Sequence, residues 1–200
     1  MTIAERKRQL VANELAQAAL LLLADRGFDA VTVDDIVAAA GVSRRTYFRY
    51  FASKEDVVVQ FLANAGAGVV AALAARPAGE PPSVALRHAV WVPIAACADH
   101  PDQALLVTRL ILGTPALQAR YLERQIQWRT DLTAELAARL RLDQTSDPYP
   151  AMAAGMTVTA LNTVLQHWRE GDDQHRLAAL TDRCFAIIAP ALDAPLRPPG

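Results

Sequence analysis

Apolar residues recur along this chain at spacings of three and four, and no stretch alternates over the length of a strand, so the pattern predicts helices throughout. From Leu10 to Arg26 the positions Leu15, Ala18, Ala19, Leu22 and Leu23 fall on one helical face. Gly27 then supplies a helix end, because a residue without Cβ enters the left-handed region freely. A second helix starts at Thr32, with Asp35 three positions on as a capping-box partner, and buries Val33, Ile36, Val37 and Ala40. Gly41 breaks it, Val42 turns inward, and Ser43 caps a short third helix expected over 43–51. Ser53 with Asp56 caps a fourth, which continues through Val57, Val58, Phe61 and Leu62 to about Ala75.

Three prolines and a glycine between Arg76 and Ser83 predict a loop. A fifth helix follows over Val84–Ala98, bent at Pro93, and a sixth runs from Pro101 to near Gly113. Pro115 suits the start of a long seventh helix reaching about Leu142. After a loop at 143–150, two more helices are expected, over 151–169 and about 174–192. The fold class is therefore all-α. Residues 1–56 form a three-helix head containing a helix-turn-helix, residues 57–192 a larger helical body of ligand-binding and dimerisation type, and residues 193–200 a disordered tail.

Composition changes this picture little. With 200 residues and 52% hydrophobic side chains, the chain can bury a sizeable core. No apolar run reads as a membrane-spanning helix, and the N-terminus lacks a signal peptide. Cys97 and Cys184 read as buried free thiols, which fits a cytoplasmic location without disulfides. No cofactor or metal is expected, because the cysteines and the histidines at 88, 100, 167 and 175 lack metal-ligand spacing. Nor is there a phosphate-cradling glycine loop, HExxH or GxSxG, which argues against an enzyme.

Charge matters locally. The net charge is -1, and the first 60 residues hold eight basic and eight acidic side chains. Yet Arg44, Arg45, Arg49 and Lys54 lie between Gly41 and Lys54 with no acid among them, and Arg6, Lys7 and Arg8 cluster near the start. Such clustering decides where an anionic backbone docks, whatever the total. On the third helix, Tyr47 and Phe51 should pack inward with Val42 and Phe61, leaving Arg44, Arg45, Phe48 and Arg49 outward. The major groove accepts a helix, and arginine pairs bidentately with guanine, so Arg44 and Arg45 are the candidate base readers. Ser43, Thr46, Arg49 and Lys54, with Arg6, Lys7 and Arg8 on an N-terminal arm, are candidates for the DNA backbone.

The stretch Gly41-Val42-Ser43, Thr46-Tyr47-Phe48, Tyr50-Phe51 and Lys54-Glu55 resembles the GVSxxTLYxYFxxKExL pattern of the tetracycline-repressor (TetR) family. The resemblance is specific over residues 10–62. It implies that the third helix lies in the major groove, that Thr46 holds a phosphate or base edge, and that Tyr50 and Lys54 contact the backbone. Two positions depart from the pattern: tyrosine stands at 47 for the usual leucine, and phenylalanine at 48 for the usual tyrosine. Phe48 has no hydroxyl to give a phosphate, so only apolar contact to sugar or a thymine methyl is open to it.

A head that reads one half-site does so with modest affinity, so a homodimer on a palindromic operator in double-stranded DNA is expected. Met156, Leu161, Val164, Leu165 and Trp168 on the eighth helix, with Leu177, Leu180, Phe185 and Ile188 on the ninth, are the candidate dimer surface. The alternative is an ordinary intrachain core. The resemblance also implies a small-molecule effector in the body. Trp91, Arg109, Tyr121, Trp128, Asn162 and His167 are the candidate pocket residues, though each alone suits a structural role as well. Arg109 either pairs with an acid of the seventh helix, the favoured reading, or meets an anionic ligand. The expected function is a ligand-released transcriptional repressor, with activation of transcription and a protein-interaction module as the alternatives.

Overall fold

The computed structural model describes residues 2–98, 100–171 and 176–194. Among them are nine helices and no strand: α1 (Ile3–Arg26), α2 (Val33–Ala39), α3 (Arg44–Phe48), α4 (Glu55–Ala74), α5 (Pro82–Ala98), α6 (Pro101–Gly113), α7 (Pro115–Leu140), α8 (Tyr149–Glu170) and α9 (Leu177–Leu192). The expected boundaries recur with small shifts, each with a local cause. α1 starts at Ile3, so Arg6 and Arg8 stand exposed on its first turns and not on an extended arm. The side chain of Lys7 lies outside the described residues, as do residues 195–200 of the expected tail. α7 stops at Leu140 because Arg141 turns to φ 58°, and the amide of Leu142 then bonds the Ala137 carbonyl at 3.0 Å.

The chain divides into two compact units. One comprises residues 1–64 together with 103–124, and the other residues 65–102 together with 125–200. In the first, Ala12, Leu15, Ala16, Ala19, Leu20 and Leu23 of α1 are buried, with Ile36 and Val37 of α2, Tyr47 of α3 and Val57, Val58 and Leu62 of α4. These positions recur at three and four, as burial of one helical face requires.

In the second unit α5, α8 and α9 pack on one another. Leu86, Ala89, Val90 and Ile94 of α5 are buried there, with Ala153, Ala154, Val164 and Trp168 of α8 and Leu177, Phe185 and Leu192 of α9. This corrects part of the expected dimer surface. Val164, Trp168, Leu177 and Phe185 are spent inside the subunit, at 5% exposure or less, and have no face left for a partner. Met156, Leu161, Leu165, Leu180 and Ile188 stay half-buried, while Met152 and Ile187 are exposed at 62% and 70%.

Helix α4 departs from the sequence reading in one more respect. Its twenty residues are long and apolar enough, by length and composition alone, to cross a bilayer. Val57, Val58, Leu62, Val69 and Leu73 are nonetheless buried within the chain, so part of this apolarity serves the core.

Candidate nucleic-acid interface

The local sequence builds the α2–turn–α3 unit almost unaided. At the start of α2 the Thr32 side chain accepts from the Asp35 amide at 3.2 Å, while the Thr32 amide and hydroxyl donate to the Asp35 carboxylate at 2.8 and 2.6 Å. Those donors favour the charged carboxylate and hold its pKa below the usual value. Gly41 takes φ 64°, a conformation that a Cβ would strain, and the Val42 amide reaches back to the Val37 carbonyl at 3.0 Å. The chain is thereby turned sharply into Ser43. The Ser43 hydroxyl accepts from the Thr46 amide at 3.1 Å and lies 3.0 Å from the Thr46 hydroxyl. The two hydroxyls named as backbone contacts therefore sit side by side at the start of α3.

Tyr47 is the anchor of α3. It is fully buried and meets Phe51 at 5.4 Å and Phe48 at 5.5 Å between ring centroids. Its hydroxyl donates to the Ser53 carbonyl at 3.0 Å, so the polar end of a buried ring is satisfied. Burial, with Asp56 and Glu55 nearby, pushes its pKa well up. A leucine at this position could not make that bond. The hydroxyl fixes the end of α3 to the segment that caps α4, where the Ala52 and Ser53 amides donate to Asp56 at 2.8 and 3.2 Å. The helix itself is shorter than expected, since the Tyr50 and Phe51 amides both bond the Tyr47 carbonyl in a closing turn. Phe61, expected beside Tyr47 and Phe51, is instead exposed at 38%.

With Tyr47 inward, Arg44, Arg45, Phe48 and Arg49 are all exposed. Arg44 is not loose: its Nη1 donates to both carboxylate oxygens of Asp34, at 3.0 and 2.9 Å, and its guanidinium lies 5.8 Å from the Phe48 ring centroid. Arg45 has no ion pair among the described residues. Arg49 lies along Tyr50, with its guanidinium 4.9 Å from the ring centroid and Nη2 donating to the phenol at 3.0 Å.

Lys54 was expected as a phosphate ligand, and the structure gives it an additional task. Its ammonium donates to the Phe28 and Val31 carbonyls at 2.6 and 3.2 Å and lies 4.2 Å from the Phe28 ring centroid. It thereby holds the loop between α1 and α2, leaving one of its three N–H donors beyond those two bonds. Its charge and the family pattern both point to the phosphate role; no sequence signal points to the loop, which lies more than twenty residues away.

The candidate pocket residues fall out differently in each unit. In the first, Tyr121 is buried and Arg109 is exposed on α6. In the second, Trp128 is buried against Gly66, Trp91 is half-buried, and the Gln125 amide reaches Asn162 at 3.4 Å. His167 is exposed, with Nδ1 3.0 Å from the Thr163 carbonyl of its own helix. It stands at the surface, not in an enclosed apolar cavity.

Comparison with known proteins agrees with this geometry. Residues 15–61 match the model described as bacterial regulatory proteins, tetR family, and residues 80–193 match that of the MftR C-terminal domain. The chain belongs to the TetR family. It is 31% identical to the HTH-type transcriptional regulator TcmR of Streptomyces glaucescens, over 98% of this chain and 90% of that protein. It is 28% identical to MftR of Mycobacterium tuberculosis over 94% of each. A TetR-family regulator from Streptomyces coelicolor superposes with a TM-score of 0.61 at 20% identity, covering 97% of this chain and 84% of that one. This TetR-family protein is thus a DNA-binding transcriptional regulator and not an enzyme, with its helix-turn-helix on α2 and α3.

Proposed function

We propose that this regulator is a cytoplasmic homodimeric repressor that reads a palindromic operator through α3 and is released by a small molecule bound in its helical body. The observation that carries the DNA-reading half is the first turn of α3. Arg44 and Arg45 stand exposed there while the buried Tyr47 fixes the helix to its support. Arginines so placed can meet guanine O6 and N7. Ser43, Thr46, Arg49 and Tyr50, with the remaining donor of Lys54, then take the phosphates, joined by Arg6, Lys7 and Arg8. Dimerisation is supported by the apolar surface that α8 and α9 leave uncovered, with Met152 and Ile187 exposed and Met156, Leu161, Leu165, Leu180 and Ile188 half-buried. For the effector, Trp91, Tyr121, Trp128 and Asn162 remain the candidates among small and aliphatic neighbours.

The test is a binding isotherm on the best duplex recovered from a randomised library, set against a scrambled duplex. Arg44→Ala and Arg45→Ala should each lose roughly tenfold or more in preference for the selected sequence, in keeping with about 1–3 kcal/mol per bidentate pair. Binding should also weaken steeply with salt as phosphate contacts release counterions. Wild-type sequence preference in both variants would refute the base-reading assignment.

A further inference from the structure

The carboxylate that holds Arg44 belongs to Asp34. Asp34 lies in the first turn of α2, and Arg44 is the first residue of α3, so the pair bridges the two helices of the motif. Both side chains are largely exposed, at 60% and 63%, and an exposed ion pair contributes little to folding stability. The contact therefore has small value as a structural brace. Its geometry is informative. One nitrogen, Nη1, serves both carboxylate oxygens, while Phe48 lies beside the guanidinium. Nε and Nη2 stay outside the pair. Their side of the fork is what an arginine would present to a base edge.

We propose that Asp34 is a specificity-determining residue, which orients the guanidinium of Arg44 for base contact and sets a negative charge against phosphates in the wrong register. The proposal rests on the reading of Arg44 as a base contact. Asp34 is delivered by a helix whose start is locked by the Thr32 cap, and α2 is joined to α3 through the Val42–Val37 backbone bond. Its carboxylate therefore has a fixed place. An arginine already held in one orientation loses less side-chain freedom on reaching a base than a free one, and preorganisation of this kind improves binding by roughly threefold to tenfold. Arg45, which has no such partner, gains nothing of this sort. The same carboxylate opposes any docking that brings a phosphate towards it without a base pair for Arg44, so wrong sequences are penalised.

Two consequences separate this role from a structural one. Removing the charge should raise affinity for a scrambled duplex while lowering preference for the base pair that Arg44 meets. The second effect should also vanish when Arg44 is absent. The experiment measures affinities of wild type, Asp34→Asn, Arg44→Ala and the double variant on the library-selected duplex, on its single-base variants and on a scrambled duplex, at one salt concentration. Circular dichroism and melting of each variant check the fold. We expect D34N to bind the scrambled duplex more tightly, to lose threefold to tenfold in preference at one base pair, and to add nothing to the preference lost in R44A. If D34N keeps the full preference while R44A loses it, Asp34 does not set specificity and the proposal is overturned, with Arg44 still the base reader. If R44A itself keeps the preference, the base contact and this inference both fall. An equal loss by D34N on every duplex marks a structural role and also overturns it.

Discussion

Gly66 lies in α4 with its backbone directly under the indole of Trp128, and replacing it is the most demanding test of the packing in the second unit. A Cβ built at Gly66 would lie 2.0 Å from Nε1, 2.1 Å from Cδ1 and 3.0 Å from Cε2 of Trp128. Carbon atoms in contact prefer about 3.5–4.0 Å, so the ring or the helix would have to move by roughly 1.5 Å. The indole is rigid and only 8% exposed, so it cannot swing aside without leaving a void. Overpacking of this kind costs about 1–3 kcal/mol. Against that, alanine is favoured over glycine inside a helix by about 1 kcal/mol. The same helix supplies the control, because a Cβ at Gly68 would meet nothing within 4 Å. Gly68→Ala should therefore stabilise the protein by about 0.5–1 kcal/mol, while in Gly66→Ala the clash offsets or outweighs that gain, a gap of about 1–3 kcal/mol. Thermal melting at fixed protein concentration reads this as a Tm for G66A about 2–12 °C below that of G68A, at roughly 2–4 °C per kcal/mol for a chain of this size. In a Trp128→Ala background the clash has no partner, and Gly66→Ala should become neutral or stabilising. Equal Tm values for G66A and G68A in the wild-type background would show that Trp128 does not rest on α4 as described.

Three further predictions concern α9 and α2. Phe185→Ala removes a buried ring and should cost about 3–5 kcal/mol of stability. Ile187→Glu, at an exposed position, should keep the helical circular dichroism of the subunit but reduce the mass measured by light scattering to that of a monomer; a retained dimer mass would remove Ile187 from the interface. For α2, the folded pKa of Asp35 lies below its unfolded value, so its stabilising effect is present above the ordinary carboxylate range and is lost as pH falls through the folded value. Amide protection at the start of α2, taken as exchange relative to the intrinsic rate at each pH, should fall on acidification in wild type, and Thr32→Ala should shift the onset to higher pH because its hydroxyl is one of the donors; an unchanged onset would contradict the assigned cause.

Much of the head was legible in the sequence because its determinants are local. The Thr32–Asp35 and Ser53–Asp56 capping pairs and the Ser43 cap act across three residues, and Gly27 and Gly41 mark positions where φ is positive, at 90° and 64°. The nine helices among the described residues and the outward set of Arg44, Arg45, Phe48 and Arg49 follow from periodicity and these stops. The family pattern over the same stretch identified the DNA-binding motif for the same reason: its residues are close in sequence.

Which apolar face is covered, and by what, is set by how the helices pack in three dimensions. Periodicity marked Val164, Trp168, Leu177 and Phe185 as apolar without saying that α5, α8 and α9 would bury them in one another, and marked Phe61 without saying that it would stay exposed. Polar pairings at long range were equally invisible. The Ser83 amide and hydroxyl donate to Asp193 at 2.9 and 2.7 Å across 110 residues, Lys54 binds the Phe28 and Val31 carbonyls, and Asp34 grips Arg44 from the neighbouring helix. A sequence fixes the chemistry of a side chain and the helical face it occupies. Its partner is chosen by the packing of helices, through contacts spread over the whole core, and a single sequence carries no local mark of them.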